Sequence, residues 1–276
     1  MNKSISLLIL VLLFVTLKSS SQNKKNDSFT NFAQYKLSYK PDSLQSKVMT
    51  EYMVLMFNQK ISGFRSTARY VRDSIMATAA FNNKSMPERM SIMQRYNSKI
   101  EEYIITDLEN KEITYTTVAK LSTYVYPQYT EKITHTWVIT KQTKKIQGIL
   151  CTRAETNRFG RRWIAWFSNE HPFPFGPYKF YGLPGLILEL SDTTGSYVYE
   201  LHNLRKRNIT YPRNPDDNII KVSKLKSIEL YNTGRYTLAM FKDAKIEGRG
   251  PEYPKKLQDI LDKQRRSENN PIELKP

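Results

Sequence analysis

The stretch that decides the fold covers residues 163–192 and reads WIAWFSNEHPFPFGPYKFYGLPGLILELSD. Apolar and aromatic residues predict one strand over residues 161–167 and a second over 186–190, and the segment between them is rich in proline. A third strand is predicted over 197–201. Asp192 to Gly195 form a turn signal before it, so the second and third strands are expected to pair as a hairpin.

The segment between the first two strands concentrates aromatic side chains, and its prolines prevent a helix and favour an extended path. One interpretation is that the segment caps the core. The other is that it presents a rigid aromatic surface to a partner or ligand, since large rigid side chains are enriched in interfaces. The residues of this possible surface are Trp166, Phe173, Phe175, Tyr178, Phe180, Tyr181, Arg161 and Arg162.

The hexapeptide Gly182-Leu183-Pro184-Gly185-Leu186-Ile187 leads into the second strand. It fits a type II turn, in which Pro184 fixes φ at the second position and Gly185 supplies a positive φ at the third. We interpret the motif as architectural. The alternative is that its backbone amides bind a ligand, but no Lys-Ser/Thr pair follows as in a phosphate-binding loop.

Upstream, alternating residues predict a half-buried strand over 132–140, followed by strands over 144–151 and 161–167 in an antiparallel meander. Residues 49–57 read as a buried strand or a short buried helix. Helical patterns are predicted over 66–81, 235–245 and 254–266, whereas 86–104 fits either a helix or a strand. The predicted fold class is mainly β or α+β, a curved antiparallel sheet with helical additions near 66–105 and at the C-terminus.

The N-terminus has the pattern of a cleavable signal peptide over residues 1–21: Lys3, an apolar run, then small residues before Gln22. The apolar run is shorter than a membrane span, so no transmembrane segment is expected in the mature chain. A polar lead-in is predicted over 22–31. We divide the rest into one β-rich domain, 22–245, and a basic, partly helical tail, 246–276.

The composition excludes several classes of protein. Forty-three Lys and Arg against 26 Asp and Glu give a net charge of +17, or +15 once Lys3 and Lys18 leave with the signal peptide. Aromatic content of 12% is too high for a disordered chain. One Cys forbids an intrachain disulfide, and it lies too far from the N-terminus to carry a lipid. Because an exported protein rarely meets nucleic acid, the expected counterpart is an envelope protein or the anionic outer-membrane surface, in the periplasm.

No catalytic constellation is recognisable, so we predict neither an enzyme nor a cofactor or metal. Glu170 could orient His171 for base catalysis, but no nucleophile lies near them in sequence. His135 and His202 are isolated, and Cys151 is expected to be a buried, inert thiol. Asp216 and Asp217 are interpreted as turn residues.

The hexapeptide and its flanks resemble the GLPGLI family of envelope proteins from Bacteroidota-type bacteria. Further similarity lies in Trp137, in the stretch from Ile146 to Ala154 and in Ser62-Gly63-Phe64-Arg65-Ser66, so that it covers about residues 39–201. The chain has His171 where the family usually has Ile before Pro. The resemblance implies a periplasmic or outer-membrane-associated location and no established chemistry.

Three functional hypotheses follow. The leading one is a non-enzymatic envelope protein that docks on a partner through its basic face and the aromatic segment. The alternative is a periplasmic carrier of lipid or another apolar ligand, which predicts an internal cavity. A periplasmic hydrolase using Glu170 and His171 is the least favoured of the three.

Overall fold

The structure is a computed structural model that describes residues 26–121, 123–132, 134, 136–212, 218–238 and 252–275. Within these ranges it contains thirteen strands and five helices. The strands are β1 (Asn26–Tyr39), β2 (Met49–Phe57), β3 (Ile61–Ser66), β4 (Tyr103–Asp107), β5 (Glu112–Thr116), β6 (Ala119–Lys120), β7 (Tyr124–Lys132), β8 (Val138–Ile146), β9 (Ile149–Arg158), β10 (Arg161–Ser168), β11 (Leu186–Asp192), β12 (Tyr197–Pro212) and β13 (Ile219–Lys221). The helices are α1 (Thr67–Met76), α2 (Ala79–Asn82), α3 (Met86–Arg95), α4 (Lys224–Tyr236) and α5 (Tyr253–Ser267).

The strands form one large open sheet in the order β13-β7-β5-β4-β3-β2-β1-β12-β11-β10-β9-β8, with β6 paired to β7. Every neighbouring pair among the described strands is antiparallel except β13 and β7. Two antiparallel halves therefore meet at the long pairing of β1 with β12. This confirms the predicted fold class, a mainly β antiparallel architecture with helical additions.

The meander β8-β9-β10 is antiparallel as predicted, but its boundaries differ from the prediction. The strand expected over 144–151 contains a two-residue hairpin turn, Gln147-Gly148, where φ is +51° and +83°. Two consecutive positive φ angles match the twist of a tight hairpin. The prediction of one strand over 132–140 is also wrong, because β7 ends at Lys132 and β8 begins at Val138.

The polar lead-in predicted over 22–31 is wrong from residue 26 onward, and residues 22–25 lie outside the described ranges. β1 begins at Asn26, and Phe29 is fully buried, so this residue belongs to the core and not to a solvated segment. The predicted signal peptide lies outside the described residues.

The helices near residues 66–105 are present, with changed bounds. The pattern over 66–81 is divided into α1 and α2, and α3 forms at the start of 86–104, where Ser85 and Glu88 make a capping box. At the C-terminus, α5 confirms the helix predicted over 254–266. Of the helix predicted over 235–245, the first two residues are the end of α4, and residues 239–245 lie outside the described ranges. The predicted domain boundary at 245/246 lies outside the described residues.

Strand alternation separates two faces of the sheet. We call the front face the side that carries Tyr35, Leu55 and Trp163, which share the larger apolar core. The back face carries a smaller core that includes Phe32 and Val54 and is covered by α1. The candidate site lies on the front face.

Candidate functional site

The front face is crossed by an irregular segment, residues 169–185, which we call the crossing segment. It connects β10 to β11 and packs against both halves of the sheet. The Phe173 ring lies 4.9 Å from Phe57 of β2, and the Phe180 ring lies 4.7 Å from Trp163 of β10. The Tyr35 hydroxyl donates to the Ile187 carbonyl at 2.7 Å, which fixes the start of β11 against β1.

Most of the aromatic residues that we considered as a surface are buried in this packing. The exposed fraction is 0% for Phe175, 4% for Tyr178, 1% for Phe180 and 5% for Tyr181. Trp166 and Phe173 are only partly buried. The burial favours the core-capping interpretation of the segment, because four of its rings have almost no area left to offer a partner.

The GLPGLI hexapeptide is not a type II turn, which corrects the prediction. Gly185 does not have a positive φ, whereas Gly182 has a φ of +91°. Gly185 is required for another reason: a Cβ atom there would lie 2.0 Å from the Ser168 carbonyl oxygen. The motif is a point of close backbone approach between the end of β10 and the start of β11.

Arg161 and Arg162 take different places. Arg161 is buried, lies 3.0 Å from Asp192 and donates to the carbonyls of Pro271 and Ile272. Arg162 is on the surface and binds Glu155. The structure therefore assigns Arg161 to a buried ion pair.

A cavity of about 750 Å³ occupies the part of the front face that the crossing segment leaves uncovered. Its floor is the sheet, one wall is α4, and the other is the last described stretch, Glu268 to Lys275, which we call the C-terminal strap. Eight tyrosines are among the residues that line it: Tyr39, Tyr115, Tyr129, Tyr178, Tyr197, Tyr199, Tyr231 and Tyr236.

The register of the sheet explains why these tyrosines converge. Leu55, Phe64, Ile104, Tyr115 and Tyr129 face one another in direct succession across β2, β3, β4, β5 and β7. Residues in direct register share a face, so the two tyrosines extend the front core toward the sheet edge. Their rings stack with centroids 5.0 Å apart.

Glu102, the residue directly before β4, also lines the cavity. It lies two residues before Ile104 of β4 and thus on the same face. Burial raises the pKa of Glu102 from 4.5 to about 7, and the nearby carboxylates of Glu51 and Glu101 add to the rise, while Arg235 lowers it. Among the described residues, no other side chain lies within hydrogen-bond or ion-pair distance of the Glu102 carboxylate.

Two other charged groups of the cavity walls, Arg235 and Glu268, pair with each other. Arg235 of α4 donates to Glu268 of the strap at 2.8 Å and to the Tyr231 hydroxyl at 2.6 Å. The Tyr236 hydroxyl donates to the same Glu268 carboxylate at 2.6 Å. This network joins α4 to the C-terminal strap and closes one side of the cavity.

Behind the tyrosine wall lies Lys179, a residue of the crossing segment with no exposed area. Its ammonium donates to the Tyr129 hydroxyl at 2.8 Å and to Glu273 at 2.6 Å, and lies 3.0 Å from Glu131. Four rings surround it, with centroids 4.7 to 5.5 Å away: Tyr115, Tyr129, Phe159 and Tyr178. Although burial alone would raise the pKa of Glu273, the ammonium of Lys179 and the hydrogen bonds hold it below its usual value.

The strap is held by further contacts with the sheet. Asn270 donates to the Lys40 carbonyl at 2.8 Å and accepts from Arg161 at 2.6 Å. The Tyr197 hydroxyl donates to the Asn270 carbonyl at 2.7 Å. Residues far apart in the chain thus fix the shape of the cavity.

The residues that we weighed for catalysis do not line this cavity. The Glu170 carboxylate accepts from the Leu150 amide at 3.1 Å, and the His202 ring packs against Tyr52. Cys151 is buried, as expected, and burial raises the pKa of its thiol to about 11. His135, Asp216 and Asp217 lie outside the described residues. In the described ranges, no helix has the length and apolar content needed to cross a bilayer.

Sequence reasoning missed Glu102, Lys179 and the tyrosine cluster. A signal for Lys179 existed, since it is the one charged residue in the aromatic run from Tyr178 to Tyr181 and a buried Lys requires partners. The tyrosines come from six separate parts of the chain, so no local pattern marks them.

Comparison with known proteins gives a family match and a fold match. A family model described as a protein of unknown function (Porph_ging) matches residues 160–189, which cover β10, the crossing segment and the start of β11. No curated protein is significantly similar to the chain.

Two solved structures of PNGF-II, in the P21 and C2 space groups, are similar to the chain. Their TM-scores are 0.53 and 0.51 at 15% and 16% sequence identity. Each alignment covers 75% of this chain. This chain spans only about a third of PNGF-II, 34% in one structure and 33% in the other. At this identity the likeness shows the fold alone. The chain is therefore similar, through its central motif, to an uncharacterised family and, through its sheet, to part of PNGF-II.

Proposed function

We propose that this chain is a non-enzymatic binding protein of the bacterial envelope that holds a small polar ligand in the tyrosine-lined cavity. The observation that carries the proposal is the cavity itself, about 750 Å³, on the front face of the sheet. This volume falls in the range of about 300 to 1,000 Å³ that small-molecule pockets occupy.

The lining favours a polar ligand over an acyl chain. Five of the eight tyrosine hydroxyls are bonded within the protein, but no described group bonds to the hydroxyls of Tyr39, Tyr115 and Tyr199, which with the Glu102 carboxylate would lose hydration against a lipid tail without gaining hydrogen bonds. Burial raises the pKa of Tyr199 and of Tyr115 well above the ordinary tyrosine value, so both hydroxyls stay neutral and can donate to a ligand. We therefore retain the cavity that the carrier hypothesis expects, but propose a polar ligand in place of lipid or another apolar ligand.

The location is proposed from the sequence. The signal-peptide pattern favours export, and the resemblance to the GLPGLI family favours a periplasmic or outer-membrane-associated location. The Porph_ging match covers the hexapeptide on which that resemblance rests. The net charge of +15 on the mature chain favours an anionic surface there. Docking on an envelope protein remains a prediction based on this charge.

Native mass spectrometry of the chain purified from producing cells tests the proposal. We expect a bound small molecule on the wild type and at least tenfold less of it on Asn232→Trp, because Asn232 of α4 lines the cavity. The control is Lys226→Trp, an exposed position of the same helix outside the cavity, which should retain the ligand. Equal retention by both variants, with intact unfolding transitions, would contradict the proposal.

A further inference from the structure

We infer that the ligand of the cavity is a peptide-like zwitterion whose protonated amine pairs with Glu102 and whose carboxylate lies at the opening. This inference rests on the proposed function and specifies the chemical class of the ligand. It follows from the distribution of charge over the cavity walls.

The first step is the missing partner of Glu102. Arg235 is paired with Glu268, and Glu273 binds both Lys179 and Lys224. Among the described side chains none pairs with Glu102, although it lies in the same enclosed space. Glu102 is half-buried, and the cation that influences it, Arg235, is bound to Glu268, so a ligand that brings a positive charge offsets the cost of burying the carboxylate.

The second step is the aromatic surroundings. Tyrosine rings attract cations through their electron-rich faces, which is how proteins recognise organic ammonium groups. Tyr115, Tyr199 and Tyr231 line the same cavity as Glu102, so an amine bound there would have aromatic neighbours. The adjacent wall already contains an ammonium in such surroundings, since Lys179 lies among four rings and two carboxylates.

The third step concerns the opening. Three cationic residues that line the cavity are exposed to solvent, which places them at its outer edge: Lys47, Lys99 and Arg265. In the described structure no carboxylate pairs with any of the three side chains. A purely cationic ligand would be repelled there, whereas a carboxylate would be attracted. The combination of a half-buried acid and three exposed bases fits a ligand with an amine at one end and an acid at the other.

Other ligand classes match this arrangement less well. A neutral sugar would satisfy the tyrosine hydroxyls but leave both Glu102 and the three outer cations without counter-charge. A free anion would pair with the outer cations and find a carboxylate at the inner end. A short peptide with free termini satisfies both ends and fits a cavity of about 750 Å³.

The test uses three forms of one tripeptide, Ala-Ala-Ala, its N-acetyl derivative and its C-terminal amide, titrated into the full chain at pH 7 by calorimetry. We expect the free tripeptide to bind, acetylation to weaken binding at least tenfold, and amidation to weaken it severalfold. Glu102→Gln should lose at least tenfold for the free tripeptide and nothing for the acetylated one. Arg265→Gln should narrow the difference between the free and amidated forms.

The control is Glu229→Gln on the exposed side of α4, which should leave all three affinities unchanged. The affinities of the wild type for the free and the acetylated tripeptide test the inference even if Glu102→Gln is unstable. Equal binding of these two, or no binding of the free tripeptide, overturns the inference. The proposed function would still stand if native mass spectrometry finds a neutral or anionic molecule in the cavity, and falls only if the cavity retains nothing.

Discussion

Two regions of the front face differ in how they are built. The crossing segment is continuous in sequence and fills its half of the face, with Phe175, Phe180 and Leu183 almost fully buried. The cavity is assembled from β1, β5, β7, β12, α4 and the C-terminal strap, and it leaves about 750 Å³ open. The comparison shows that the conspicuous sequence motif serves packing, whereas the open cavity is formed by residues scattered along the chain.

The largest expected effect is in the crossing segment, at Gly185. Gly185→Ala would place a Cβ atom 2.0 Å from the Ser168 carbonyl oxygen, against backbone that cannot move without separating β10 from β11. We expect a loss of more than about 4 kcal/mol in the free energy of unfolding, measured by urea denaturation.

The matched control is Gly148→Ala in the β8–β9 hairpin. Gly148 has a φ of +83°, and a Cβ atom at this position would meet no other atom within 4 Å, so only conformational strain is added. The expected cost is about 1 to 2 kcal/mol. Similar losses for the two variants would show that close approach is not the reason for Gly185.

The next effect lies where the two regions meet, at Lys179. Lys179→Met keeps most of the side-chain volume but leaves Glu273 and Glu131 without the ammonium they share. We expect a loss of about 3 to 5 kcal/mol, because removing one partner of a buried ion pair leaves an uncompensated charge. The double variant Lys179→Met/Glu273→Gln should recover part of this loss. Failure of the second substitution to recover any stability would indicate that the charge network is not responsible.

A smaller effect, dependent on pH, is expected in the cavity. The folded chain has a Glu102 pKa of about 7, raised from 4.5, so between these values it binds more protons than the unfolded chain. The contribution of Glu102 to stability should therefore fall as the pH rises from about 4.5 to 7 and then level off. At pH 8, Glu102→Gln should be more stable than the wild type by up to about 3 kcal/mol, with little difference at pH 4.

Urea denaturation across this pH range measures the difference between the two proteins. Glu229→Gln, whose carboxylate is exposed on α4, should follow the wild type at every pH. A gap between Glu102→Gln and the wild type that does not change with pH would contradict the burial of Glu102.

The smallest effect concerns the chemical reactivity of Cys151, whose side chain is buried. Burial raises the pKa of its thiol to about 11, so little thiolate forms at pH 8. We expect Ellman's reagent to modify the folded chain at least about 100-fold more slowly than the chain in guanidinium chloride. Rapid labelling of the folded chain would place Cys151 at an accessible site.

How much the sequence predicts depends on whether a feature is local. The hairpin at Asp192 to Gly195, the strand at residues 161–167 and α5 are encoded by adjacent residues, and all three are present in the structure. The turn at Gln147-Gly148 was missed because apolar residues continue on both sides of it. The strand β7 was missed because Pro127 and its two charged residues, Glu131 and Lys132, weaken its pattern.

The residues of the cavity could not be predicted from the sequence, for a different physical reason. Tyr129 reaches the cavity only because four successive strand registers align it with Leu55. Glu273 reaches Lys179 only because Arg161 and Asn270 anchor the strap. Such long-range pairings are not visible in a single sequence, whereas the motif at Gly182 to Ile187 is visible but concerns backbone packing.

The most direct test of the central claim is a crystal structure of the chain purified from its own cells without added ligand. We expect electron density for a small molecule in the cavity, in contact with the Glu102 carboxylate and walled by α4 and the C-terminal strap. A cavity that holds only water, or one closed by an ion pair between Arg235 and Glu102, would contradict the account.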